Sequence, residues 1–183
     1  MLSNQKKHEA ALDVRSQVIL VVGLAMFMVV SDMMLRLPIN VQGETGLVSM
    51  AVLIVAAGMI RKTGIATVTA LFAGVIAAIV DPSAWGMFYT LLTFAVLGIG
   101  VDLGLAIVGS VRYIQNALLA ATLGHVLYFT VKWLYGVWVG APVGVVANTL
   151  QRTAIEHLIF GVIGGLIGYG ILMIVDQQTE GER

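Results

Sequence analysis

The sequence predicts an all-α integral membrane protein: a six-transmembrane-helix bundle with both termini cytoplasmic. Three observations lead there. Hydrophobic residues make up 59% of the chain and charged residues only 11%, whereas a soluble domain carries about 25% charge. The apolar residues fall into runs near the roughly 20 residues that cross a bilayer, separated by short polar or Pro/Gly-bearing breaks. The cations favour alternate breaks: Lys6, Lys7, Arg15, Arg61, Lys62, Arg112 and Arg183 on one side, against Arg36, Lys132 and Arg152 on the other. The positive-inside rule puts the larger group and both termini in the cytoplasm, as in a multi-pass protein of the cell membrane.

The elements follow in order. Residues 1–15 are a polar cytoplasmic segment, 16–175 the six-helix transmembrane domain and 176–183 a polar cytoplasmic tail. The first apolar run has no small-x-small cleavage site after it and is read as a retained helix over 16–35, not a signal peptide. Asp32 and Arg36 lie four apart near its end and are expected to pair at the membrane surface. Pro38 stops that helix, and 37–45 is an outward loop. A short second helix spans 46–60. Arg61, Lys62 and Gly64 make a sharp turn into a third over 65–80, which Asp81-Pro82-Ser83 ends. The fourth, 86–108, holds Gly100 and Gly104, a small-xxx-small step for close helix contact. The fifth runs from Arg112 to Gly140. The sixth spans 148–175, with the steps Gly161/Gly165 and Gly164/Gly168.

Composition also excludes functions. Lys plus Arg and Asp plus Glu are equal at 10 each, so no basic excess exists to hold nucleic acid. Absence of Cys removes disulfides and thiolate metal sites. The three His lie far apart without metal-ligand spacing, and no metal or cofactor is expected. A hydrolase needs a nucleophile within reach of a base, yet Ser31, Ser49, Ser83 and Ser110 fall near helix ends and no GxSxG is present. No catalytic residues are expected. Nor is there a P-loop, so any ATP hydrolysis belongs to partner subunits.

The fifth helix carries a polar line. Thr122, His125, Tyr128, Lys132 and Tyr135 recur at steps of 3, 3, 4 and 3, which is one helical face. An ionisable group in hydrocarbon costs about 2.5–3.5 kcal/mol even on the mild insertion scale, so the line should face other helices or a wet cavity. Counting from Arg112, Asp102 and His125 both lie roughly 15–20 Å above the inner boundary and are expected to share a depth. Trp85 and Tyr89 stand at the outer end, where an aromatic belt sits. The solute-binding residues expected on these grounds are Trp85, Tyr89, Asp102, His125, Tyr128 and Arg152.

The run MIRKTGIATVTALFAGVIAAIVDPSAWG, residues 59–86, resembles the helix-two to helix-four region of the substrate-binding S components of energy-coupling factor (ECF) vitamin transporters. The likeness is to the YkoE type, linked to thiamine or its hydroxymethylpyrimidine precursor. There an MIRKPG turn opens a helix, and a later helix carries a QGLGAE-like segment; here that segment is LGIGVD, with Asp102 in the acidic place. LQRTAIEHLIFGVIGG, residues 150–165, resembles the family's last helix and contains Arg152. The family's acid early in helix three is replaced here by Thr67-Val68-Thr69-Ala70. The resemblance implies a membrane-embedded capture subunit that takes a small vitamin or precursor from outside. Its partners would be a transmembrane coupling subunit and cytoplasmic ATPases. The alternative from a different class is a non-transporting structural or assembly subunit of a membrane complex, its polar line an assembly seam.

Overall fold

The structure, a computed structural model, describes residues 13–35, 44–83, 85–140 and 143–181. Six helices, α1 (Val14–Leu35), α2 (Glu44–Ile60), α3 (Ile65–Val80), α4 (Met87–Val108), α5 (Ile114–Trp138) and α6 (Val143–Gly181), account for nearly all of them. Among the described residues, four segments are long and apolar enough to cross a membrane: Val14–Leu35, Met87–Val108, Ile114–Trp138 and Thr153–Gln178. This is an all-helical, membrane-embedded protein. The expected bounds hold within two residues except in α6, which begins directly after the break at 140–142 and continues through the polar Gln177 and Gln178. Polar residues alone do not end a helix. The start of α1 is set by Asp13, whose Oδ1 accepts the Ser16 N–H at 3.0 Å, a side-chain cap for an amide with no intrahelical partner. The loop expected over 37–45 falls largely outside the described residues, as does Arg36.

α2 is the hub. It packs against all five other helices, which follow one another around it in the order α1, α3, α4, α5, α6. Eight consecutive residues, Met50 to Ala57, are buried, as expected of a helix apolar all round and enclosed by protein. The outer helices instead turn large apolar side chains outward, such as Phe27, Ile79, Ile107 and Ile159.

Glycine rows set the contacts. A methyl on Gly100 would come 2.5 Å from the Cα of Gly124, and one on Gly104 2.6 Å from that of Ala120, so α4 and α5 touch backbone to backbone. On α6 the row Gly161/Gly165 meets Thr122 and Ala117 of α5, while Gly164/Gly168 meets Leu47 and Ala51 of α2. Without a hydrophobic drive between helices in lipid, this close approach supplies the packing energy.

The same register shows that α2 starts deep. A methyl on Gly46, its third residue, would overlap the His125 imidazole. Beyond His125, α5 runs thirteen more residues to Trp138, about 20 Å. A column of space therefore opens beyond the start of α2, flanked by α1, α4 and α5.

Candidate functional site

That space holds a cavity of about 360 Å³, within the range of small-molecule sites. Gly46 and Ser49 of α2 form its floor. α4 contributes Tyr89, Thr90, Thr93, Phe94 and Leu97, and the adjoining α5 contributes Tyr128 and Lys132. α1 contributes Asp32, and the α3–α4 connection contributes Ser83 and Trp85.

The mouth is aromatic. Trp85, Tyr89 and Tyr135 form a triangle with ring centroids 5.5, 5.4 and 4.7 Å apart, and Trp138 adds to Tyr135 at 5.4 Å. Tyr128 and Lys132, four apart on α5, share one helical face and both line this space. Ser83 is fixed to α4 by its N–H, which donates to Thr90 Oγ1 at 2.9 Å. The Thr93 hydroxyl donates to its own helix, to the carbonyls of Tyr89 and Thr90. Its oxygen retains acceptor capacity towards the cavity.

An acid and a base share the lining. Asp32 is 8% exposed, and Lys132 sits with its Nζ 6.0 Å from the centroid of the Tyr128 ring. Both take part in polar or electrostatic interactions in this structure. Among the expected site residues, Trp85, Tyr89 and Tyr128 meet here. His125 lies directly behind Gly46, stacked on Tyr128 with centroids 5.9 Å apart.

His125 leads to a pair that sequence reasoning missed. It is fully buried and shares the α5–α6 seam with His157, also fully buried. His125 Nδ1 lies 2.6 Å from the His157 carbonyl, and His125 Nε2 3.2 Å from His157 Nδ1. A carbonyl only accepts, so His125 Nδ1 carries the proton; with both rings neutral, His125 Nε2 then accepts from His157 Nδ1–H. His157 Nε2 is left as a buried acceptor without a partner among the described residues. Phe129 covers the His157 ring at 5.0 Å between centroids.

Asp102 belongs elsewhere. Its carboxylate accepts the Thr67 N–H at 2.8 Å, the Thr67 hydroxyl at 2.5 Å and the Ala66 N–H at 3.4 Å. Gly64 precedes α3 and offers no side-chain cap; Asp102 supplies one from the neighbouring helix, on amides with no intrahelical partner. It shares a rough depth with His125 but points the other way. Gly100 and Gly104 face α5, and a residue two places from each is rotated about 200° from them. The Arg152 side chain lies outside the described residues, so its expected place at the mouth is not described. The expected pairing of Asp32 with Arg36 involves a residue outside the described ones; Asp32 itself lines the cavity.

No protein-family model, curated protein or solved structure matches this chain.

Proposed function

We propose that this protein is the solute-capturing subunit of a membrane importer, an S component of the ECF type that takes a water-soluble vitamin or precursor from the outer face of the cell membrane. The observation that carries the reading is the cavity beyond α2, where an aromatic mouth and several hydroxyls meet an acid, Asp32, and a base, Lys132, among the described residues. Ligand sites combine apolar and aromatic walls with a few convergent polar groups in this way. A planar ring would rest against Trp85 and Tyr89, while Asp32 and Lys132 would fix its polar substituents.

Charge distribution supports the orientation. Arg15, Arg61, Lys62 and Arg112 gather at the end where α1 begins, and Lys132 stands towards the opposite end. Under the positive-inside rule the cavity opens outward and both termini are cytoplasmic, with all six helices crossing. Asp32 also answers the departure in helix three, because α1 provides the acid that the stretch 67–70 does not. Without a P-loop in the chain, coupling to ATP belongs to a transmembrane partner and cytoplasmic ATPases.

Equilibrium binding of the purified, detergent-solubilised chain to a panel of vitamins and precursors, thiamine and hydroxymethylpyrimidine included, tests the reading. Saturable sub-micromolar binding of one compound, weakened in Asp32→Asn, is expected. A folded protein that binds none of them, or one whose binding ignores both Asp32→Asn and Trp85→Ala, would refute it.

A further inference from the structure

The opposite end of the bundle holds a second cavity, of about 490 Å³, that the solute site does not use. It lies between the α2–α3 turn and the α4–α5 turn. Arg61 and Lys62 line it from the first and Arg112 from the second, with Asp102 in the wall between. Among the described lining residues three cations therefore meet one carboxylate, which already accepts from the first turn of α3 through Ala66 and Thr67.

Arg61 lies 4.0 Å from Asp176, with both side chains about half exposed, so that solvent weakens this pair. Its Nε donates to the Gly58 carbonyl. Lys62 donates to the neutral amide of Gln17 at 2.7 Å. No carboxylate contacts Arg112 among the described residues.

The backbone gives a second, independent sign. Arg61 has φ +54, the one non-glycine residue with positive φ among those described. It sits immediately after α2, where glycine is the favoured residue because it meets no steric penalty there. The chain instead places a guanidinium at this strained point on the cavity wall, and strain retained at a lining residue points to a role for its side chain. The rest of the lining includes Ala57, Leu105, Ala106 and Val111, and the neighbouring Ile107 is 78% exposed on the outer surface of the bundle. The charged end and the apolar wall therefore adjoin.

We propose that this second cavity binds a phosphate group, with Arg61, Lys62 and Arg112 as its ligands. The apolar wall beside them fits the glycerol and first methylenes of an anionic phospholipid, since basic pockets between membrane helices take such headgroups. Free phosphate in solution offers the same recognition chemistry.

Native mass spectrometry of the full chain, released from nanodiscs of equimolar phosphatidylglycerol and phosphatidylcholine, tests this. The wild type should retain the anionic lipid preferentially, by on the order of fivefold for each cation engaged. Arg61→Gly combined with Lys62→Gln and Arg112→Gln should retain both lipids equally. Arg15→Gln, a cation at the same end but not in the cavity lining, should behave as wild type. Equal retention by the wild type overturns the proposal without reference to any variant. So does a loss in Arg15→Gln as large as in the triple variant, which would mean diffuse attraction instead of a site. Inorganic phosphate added before release separates the sources: displacement of the retained lipid assigns the site to soluble phosphate as well, and retention assigns it to the headgroup.

Discussion

The two cavities are similar in size and opposite in chemistry. The one beyond the start of α2 balances Asp32 against Lys132 and surrounds them with phenols, hydroxyls and Trp85. The one at the far end sets Arg61, Lys62 and Arg112 against an acid that is already committed to α3. Balanced charge within an aromatic frame selects a shape with dispersed polar groups. Clustered positive charge beside an apolar wall favours an anion and is far less particular about shape. The difference teaches where specificity is built: in the pocket left where a buried helix starts late, not in the one between two turns at the bundle's end.

The comparison breaks first at the floor of the solute cavity. Gly46→Val drives a side chain into His125 and should abolish solute binding, with overpacking costing about 1–3 kcal/mol of stability. Solute titration and thermal melting check both, and anionic-lipid retention at the other end should not change. Next comes charge. Asp32→Asn should weaken solute binding by roughly tenfold to a hundredfold, the range of a hydrogen bond to a charged group.

Asp102→Ala sharpens the division. As a cap on α3 it should cost about 1 kcal/mol, a fall of roughly 2–4 °C for a chain of this size, while solute affinity stays at the wild-type value. A loss of affinity without loss of stability would move Asp102 back to the solute site.

The smallest effect lies at the start of α1. The Ser16 hydroxyl and N–H hold the Asp13 carboxyl below its ordinary 3.8. A depressed carboxylate contributes above 3.8 and loses that contribution as pH falls through its folded value. The protection of the Ser16 amide against exchange, relative to its intrinsic rate at each pH, should therefore fall as pH drops below 3.8 and through the depressed folded value.

Much of this was legible in the sequence. The breaks at Gly64, which adopts φ +84, and at Pro82 delimit α3 and were marked in the sequence. The glycine steps named the α4–α5 and α6 contact faces, and the line Tyr128–Lys132–Tyr135 does turn inward. More could have been read. Extending the row Gly161/Gly165 back by four and eight residues gives His157 and Thr153, both buried. The same logic applied to Gly100 and Gly104 turns Asp102 away from α5. Asp32 was not legible, because an all-apolar α1 carries no polarity to show its inward face. The hub position of α2 was hidden for the same reason, since every helix around it is also apolar.

The most direct test uses the chain's own tryptophans, Trp85, Trp133 and Trp138. Only Trp85 lines the cavity. Titration of the purified protein with the vitamin and precursor panel should give a saturable fluorescence change for one compound. That change should persist in Trp133→Phe and in Trp138→Phe and vanish in Trp85→Phe, with saturable binding still measurable by equilibrium dialysis. A flat response from folded wild type across the panel, or a change that survives intact in Trp85→Phe, would contradict solute capture in this cavity.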